Sequence, residues 1–238
     1  MKNQKRSYAS VTALVLALAM SMPSMGTAQE TKMQDRVAEL KLATTVNKQA
    51  LAQYTWQEQQ TISIKGEVKK EDLYQVHLGP DGNPQKTDLD PQQQSSGGRQ
   101  HGIKHRVKEK KTEEYEEYGK QIGSLAQSYA KPDPDRIQQA YQHGNVLVGP
   151  LGTPNEVRLV IQNFLKQGDS LTFVLDRARK VVQSIQVSSY LNDPKDAVTI
   201  SAQFAQLPDG TNHVSSMVVN GVSKQLTVNT QNSSYQKV

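Results

Sequence analysis

Residues 171 to 235 carry the strongest structural signal in the sequence, a series of short segments with apolar residues at every second position. The first of these segments contains Leu171, Phe173 and Leu175. Because successive side chains on a strand point to opposite faces, this spacing predicts strands that are buried on one side. Turn-forming sequences such as Asn220-Gly221 separate the segments and favour tight hairpins. The region therefore predicts an antiparallel meander.

The first 28 residues have the three parts of a secretory signal peptide. Three basic residues come first, an apolar run from Val11 to Met20 follows, and Gly26-Thr27-Ala28 forms a small-residue cleavage site. The apolar run is shorter than the roughly 20 residues that a membrane-spanning helix needs. We therefore expect cleavage after Ala28, a periplasmic or secreted location, and no integral membrane segment in the processed chain.

Charge and cysteine content exclude several function classes. The chain has 28 basic and 23 acidic residues, and the signal peptide contributes three basic residues and no acidic ones, so the mature charge is 25 minus 23, or +2. Such a balance, with no basic stripe and no interleaved aromatic residues, argues against nucleic-acid binding. The absence of cysteine excludes a disulfide framework and thiol chemistry.

The mature chain, residues 29–238, is expected to form one domain. Residues 34–52 form an amphipathic pattern that predicts an N-terminal helix. Residues 85–103 are poor in apolar side chains and predict a mobile, low-complexity loop. A pair of helices is predicted for residues 105–143, where Pro134 stands at the first position of the second helix. Together with the meander, these elements predict an α+β fold.

Residues 54–68 predict one long strand with an apolar face, followed by a partner strand over residues 72–78. At about 3.3 Å per residue this strand would measure roughly 50 Å, so we expect it to bend, with Gly66 as the natural place. Its apolar side and that of its partner are interpreted either as packed core or as the lining of a ligand cavity. The candidate cavity residues are Tyr54, Trp56, Ile62, Ile64, Tyr74 and Val76.

No motif in the sequence indicates catalysis, a cofactor or a metal. The chain lacks a Gly-x-Ser-x-Gly elbow and a glycine-rich phosphate loop. His101 and His105 are spaced one helical turn apart, but Gly102 and the preceding loop argue against a preformed metal pair. We therefore expect a protein that is not an enzyme.

Three segments give the chain a resemblance to a known family. They are Tyr54-Thr55-Trp56 at the start of a long strand, Leu171 to Asp176 before a turn, and the strand from Val181 to Val187. In this pattern the chain resembles the periplasmic lipoprotein-carrier fold, the LolA/LolB-like family. The resemblance implies a curved antiparallel sheet that forms an incomplete β-barrel, with an N-terminal helix and a two-helix insert packed on it.

The resemblance implies an apolar cavity for acyl chains, and two functions follow from it. The first is an exported lipid- or lipoprotein-binding carrier that performs no chemistry. The second is an envelope interaction or stress-sensing module on the same fold, which binds no ligand. Acyl lipid found with the purified protein would favour the first.

Overall fold

The computed structural model describes residues 45–89, 103–130 and 133–238. The predicted signal peptide, the start of the predicted N-terminal helix and most of the predicted loop lie outside these residues. The described helices are α1 (45–51), α2 (Ile103–Ala130) and α3 (Pro134–Gln142). The strands are β1 (Tyr54–Ile64), β2 (Glu67–Leu78), β3 (Pro84–Asp88), β4 (Val146–Leu151), β5 (Thr153–Gln162), β6 (Ser170–Asp176), β7 (Val181–Tyr190), β8 (Ala197–Gln206), β9 (Asn212–Gly221) and β10 (Leu226–Lys237).

All ten strands belong to one antiparallel sheet, in the order β3-β2-β1-β10-β9-β8-β7-β6-β5-β4. Apart from β1 and β10, every two strands that pair follow each other in the chain, as expected for strands joined by hairpins. Among the described strands, β3 and β4 form the two edges and do not pair with each other, so the sheet is unclosed. The predicted fold class, an α+β protein built on a curved and incomplete barrel, is confirmed.

The helices cover one face of the sheet, which we call the inner face. On α2, the buried residues Tyr118, Ile122, Ala126 and Tyr129 follow one another at three or four positions, which places them on one side of the helix. They form the main core with two residues of α3 and with strands β5 to β10. Its largest fully buried side chains are Phe173, Ile122, Leu159, Ile161, Leu171, Leu175 and Val198.

A buried carboxylate fixes the C-terminal part of α2 against the turn between β5 and β6. Asp169 accepts hydrogen bonds from the backbone N–H groups of Phe164 (2.6 Å), Leu165 (2.9 Å) and Lys166 (3.0 Å). The hydroxyl of Tyr129 donates a further hydrogen bond to the same carboxylate. Burial, together with this bond, raises the pKa of Tyr129. The helix therefore meets the sheet through a specific polar contact as well as through apolar packing.

The long strand predicted over residues 54–68 is wrong, because the chain reverses direction at Lys65 and Gly66. Both residues have positive φ, 55° for Lys65 and 80° for Gly66, as a tight hairpin turn of two residues requires. β1 therefore ends at Ile64, and Val68 lies on β2 with 55 % of its surface exposed. Gly66 provides the turn of a hairpin and not a bend within one strand.

The predicted loop over residues 85–103 also begins too early. Residues 85–88 belong to β3, which pairs with β2 from Leu78 to Tyr74. Backbone pairing along a sheet edge stabilises a strand even when its sequence is polar, so composition alone gave the wrong boundary.

Candidate functional site

The inner face carries a second apolar cluster, separate from the main core and close to α1. Its buried residues are Leu51, Trp56, Val76 and Leu78, with Tyr74 and Tyr235 packed against them. The second cluster thus joins α1 to strands β1, β2 and β10. Between the two clusters the inner face carries buried polar side chains, and in this it differs from an ordinary apolar core.

The six predicted cavity residues are divided between these regions. Trp56, Val76 and Tyr74 belong to the second cluster, whereas Ile64 packs against the main core. Ile62 is half-buried between them. The buried Tyr54 donates its hydroxyl proton to Asp209 Oδ2 at 2.6 Å, and this hydrogen bond raises the pKa of Tyr54. The residues therefore do not form one continuous apolar surface.

Polar side chains interrupt the apolar face of β1. Glu58 and Gln60 lie between Trp56 and Ile62 at the same strand parity, and they pair with Asn232 and Thr230 of β10. We call Glu58, Gln60, Thr230 and Asn232 the polar band. The band separates the second cluster from the apolar residues that lead to the main core.

The acidic member of the band is buried and paired. Glu58 is only 6 % exposed, and its carboxylate forms an ion pair with the ammonium group of Lys86 on β3. The Lys86 nitrogen also lies 5.4 Å from the centroid of the Tyr74 ring. Because a buried charge is strongly destabilising without a partner, this pair keeps the band close to neutral.

Three buried polar atoms in and beside the band have no hydrogen-bond partner within the part of the chain that the structure describes. They are Nε1 of Trp56, Oγ1 of Thr230 and Oδ1 of Asn232. Trp56 is 5 % exposed and Thr230 is 4 % exposed. Buried polar groups in native proteins are almost always hydrogen-bonded, so three such atoms along one stretch of the β1–β10 ladder mark this region as unusual.

Aromatic rings border the polar band on the side of the second cluster. The rings of Trp56 and Tyr235 are stacked, with centroids 5.5 Å apart and planes at 15°. The ring of His213 lies 4.1 Å from that of Tyr235. Burial raises the pKa of Tyr235, with a smaller contribution from the negative charge of Glu58, and burial lowers the pKa of His213. Both groups are therefore held in their neutral forms near pH 7.

Half-buried apolar residues border the band on its other side. Ile62 of β1 faces Val228 of β10, and Met217 of β9 faces Thr230. Val228 and Met217 pack against the main core without being buried themselves. We call Ile62, Val228 and Met217 the apolar strip. Along the inner face the main core is therefore followed by the apolar strip, then by the polar band, and then by the second cluster.

A concave region lies elsewhere in the described structure, between α2 and the turn that joins β7 to β8. It is an open groove of about 560 Å³ with a largely polar lining that includes Lys120, Gln121 and Ser124. Lys166 also lines the groove, and its ammonium group donates to the backbone carbonyls of Tyr190 and Leu191. Because this lysine is already bound to the protein, the groove offers a weaker case for ligand binding than the inner face does.

Part of the polar band was readable from the sequence. Glu58 and Gln60 have the same parity as Trp56 and Ile62, so the alternation itself places them on the predicted apolar face. The other contributors come from strands far away in the chain. Lys86, Thr230 and Asn232 become neighbours of β1 only through the pairing of β3 with β2 and of β10 with β1.

The described helices and acidic groups bear on two further expectations. Within residues 45–89, 103–130 and 133–238, none of the helices combines the length and hydropathy of a membrane-spanning segment. The same residues contain no cluster of three or more histidine, aspartate or glutamate side chains that could hold a metal ion. The side chains of His101 and His105 lie outside the described part of the chain.

No protein-family model and no curated protein sequence matches this chain. Among solved structures, a DUF1329 family protein from Desulfovibrio piger is similar over 83 % of this chain and 90 % of its own, with 12 % identity and a TM-score of 0.41. A LolA superfamily protein from Nitrosomonas europaea is similar over 79 % of this chain and 87 % of its own, with 8 % identity and a TM-score of 0.35. Both TM-scores lie below 0.5, so the site is interpreted from this chain's own contacts.

Proposed function

We propose that this chain is an exported lipid-binding protein that holds an acyl chain against the apolar strip of its inner face. The observation that carries the proposal is the order of surfaces on that face. A half-buried apolar strip ends at a band of buried polar groups, and three polar atoms in and beside that band have no partner among the described residues. Ligand sites in proteins are mostly apolar with a few converging polar groups, and an acylated molecule has the same division.

The side chains of the strip are only partly buried by the protein, so an acyl chain can make further apolar contacts with them. Ile62 and Val228 face each other across β1 and β10, and both remain partly exposed. Each buried methylene of an acyl chain contributes about 0.8 kcal/mol, so several contacts of this kind are enough for useful affinity. Because the sheet is unclosed, a chain lying on the strip does not need to pass through a ring of strands.

The proposed export rests on residues 1–28. Their basic start, apolar run and small-residue cleavage site are those of a secretory signal peptide. Sequencing the N-terminus of protein recovered from the cell envelope is expected to give Gln29. An intact Met1 on a membrane-embedded protein would contradict the proposal.

Mass spectrometry of the natively purified protein tests lipid binding directly. We expect acyl lipid to accompany the wild-type protein and to be lost from Met217→Lys, which places a charge in the apolar strip. Val218→Lys is the matched control, because Val218 is the next residue of β9 and points to the opposite face of the sheet.

Retention of lipid by both variants would contradict the assignment of the strip. Complete absence of lipid from the wild-type protein would contradict the carrier proposal. That result would favour the alternative, an envelope interaction or stress-sensing module without a ligand. Thermal unfolding of each variant shows whether the sheet is intact.

A further inference from the structure

We infer that the polar band holds an uncharged lipid headgroup that both donates and accepts hydrogen bonds, such as a glycerol hydroxyl or a carboxamide. This inference rests on the proposed function and specifies the chemical class of its ligand. It follows from which atoms at the band lack partners, from where the strands place them, and from the charge already present there.

The unpartnered atoms require both a donor and an acceptor from the ligand. Nε1 of Trp56 carries a proton and only donates. Oδ1 of Asn232 only accepts, and its amide orientation is fixed because Nδ2 donates to the backbone carbonyl of Val214 at 2.9 Å. The hydroxyl of Thr230 does either. A headgroup that both donates and accepts, through hydroxyl or carboxamide groups, meets these requirements, whereas a group that only accepts leaves Asn232 unpaired.

Strand pairing places these atoms within reach of one headgroup. Asn232 faces Glu58 and Thr230 faces Gln60 across the β1–β10 ladder, while Trp56 is the next inner-face residue of β1 beyond Glu58. Directly opposed residues have Cβ atoms about 5 Å apart, and diagonal neighbours about 7–8 Å. Trp56 and Thr230 themselves lie four positions apart along the ladder, about 13 Å, with Asn232 between them, so a headgroup that reaches all three must carry several polar atoms.

The charge of the band favours an uncharged group. Glu58 and Lys86 already neutralise each other in an ion pair, and Glu58 is buried. A carboxylate or phosphate placed here would lie beside Glu58 and beside the Asn232 oxygen, with no free cation among the described residues of the band. A buried charge without a partner is strongly unfavourable, so anionic lipids are expected to bind less well than neutral ones.

The hydroxyl of Thr230 is difficult to explain by folding alone. Valine has nearly the same shape, and a buried hydroxyl without a partner lowers stability relative to an apolar group at the same place. Thr230 lies between the half-buried Val228 and the second cluster, where valine would pack equally well. A ligand that forms a hydrogen bond with this hydroxyl would explain why the residue is threonine and not valine.

Fluorescence of Trp56 provides the test, because it is the sole tryptophan in the chain. The delipidated full-length mature protein is titrated with monooleoylglycerol, oleamide and oleate, all below their aggregation concentrations. We expect the better of the two neutral probes to bind at least tenfold more tightly than oleate, and the tighter of them identifies hydroxyl or carboxamide as the headgroup.

The possible failures are distinguishable. If oleate binds as tightly as both neutral probes, the headgroup inference is overturned and the acyl-binding proposal stands. If no probe binds, both are overturned.

Thr230→Val isolates the contribution of the hydroxyl. We expect it to weaken binding of the neutral probe by about three- to tenfold, the effect of losing one hydrogen bond, without lowering the thermal unfolding temperature. Thr172→Val is the matched control, since Thr172 lies on β6 between buried residues and faces away from the core. Unchanged affinity in Thr230→Val would show that the hydroxyl does not bond to the ligand and would overturn the inference.

Discussion

The ring of Tyr118 lies so close to the backbone of Gly221 that a Cβ atom at position 221 would be 2.4 Å from Tyr118 Cε1. The ring is held in this position by its hydroxyl, which donates to Asp196 Oδ1 at 2.8 Å. Ser223 donates to the same carboxylate oxygen at 2.6 Å. Helix α2 therefore docks on the end of β9 through a contact that admits no side chain at position 221.

Gly221→Ala is expected to lower the free energy of unfolding by about 1–3 kcal/mol, because the added methyl group forces the Tyr118 ring from its place. Urea denaturation measures the loss. Gly149→Ala is the matched control in the same sheet, since no atom lies within 4 Å of a Cβ built there. Equal stability of the two variants would show that the Tyr118 ring moves aside freely.

This contact also explains where the sequence misled. Asn220-Gly221 was predicted to form a hairpin turn, yet both residues belong to β9, and the chain turns after them, before Leu226. The glycine serves a close approach between helix and strand, which no local pattern reveals. The alternation over β6 to β8, by contrast, predicted those strands well, because period-2 burial is a local consequence of one-sided packing.

Removal of the Tyr129 hydroxyl tests the polar contact at the other end of α2. Tyr129→Phe is expected to lower the free energy of unfolding by about 1.5–3 kcal/mol, because a hydrogen bond to a buried carboxylate is lost. The three backbone N–H groups that bond to Asp169 remain. Tyr141→Phe on α3 serves as control, since Tyr141 is 37 % exposed and its change should stay within about 0.5 kcal/mol. An equally small change in Tyr129→Phe would show that the backbone groups satisfy Asp169 alone.

The buried ring of His213 should make stability depend on pH. Burial lowers the pKa of His213 in the folded protein, so between that pKa and the unfolded value near 6.5 the unfolded chain binds more protons. Stability is therefore expected to fall as pH drops below about 7, by at most roughly 1.4 kcal/mol per pH unit from this one group. The free energy of unfolding, measured at several pH values between 8 and 5, should show this slope.

His213→Phe keeps a ring beside Tyr235 and removes the titration, so it should flatten the slope in that window. His77→Phe replaces an exposed histidine on β2 and controls for the loss of a histidine as such. A slope that persists unchanged in His213→Phe would assign the pH dependence to other groups.

The candidate site was predictable only where it lies on one strand. Trp56 and Ile62 were found from their alternation, and Glu58 between them could have been found in the same way. Thr230 and Asn232 come from the last strand of the chain, β10, which is mostly polar after Val228. Their polar composition does not indicate a strand. The strand forms because it pairs with β1 and β9.

Trp56 is the residue at which packing and ligand binding are best separated. It is 5 % exposed and is packed in the second cluster with Val76 and Tyr235, so Trp56→Ala is expected to lower the free energy of unfolding by about 3–5 kcal/mol. Trp56→Phe retains most of the ring contacts and removes the Nε1 proton, so its stability loss should be under about 1.5 kcal/mol. Native mass spectrometry should nevertheless show less bound neutral lipid for Trp56→Phe than for wild type. Three results together would identify Trp56 as a core residue with no role in binding. They are a large loss of stability in Trp56→Ala, full lipid binding by Trp56→Phe, and no response of wild-type fluorescence to any acyl ligand. Such a result would contradict the placement of a ligand beside it.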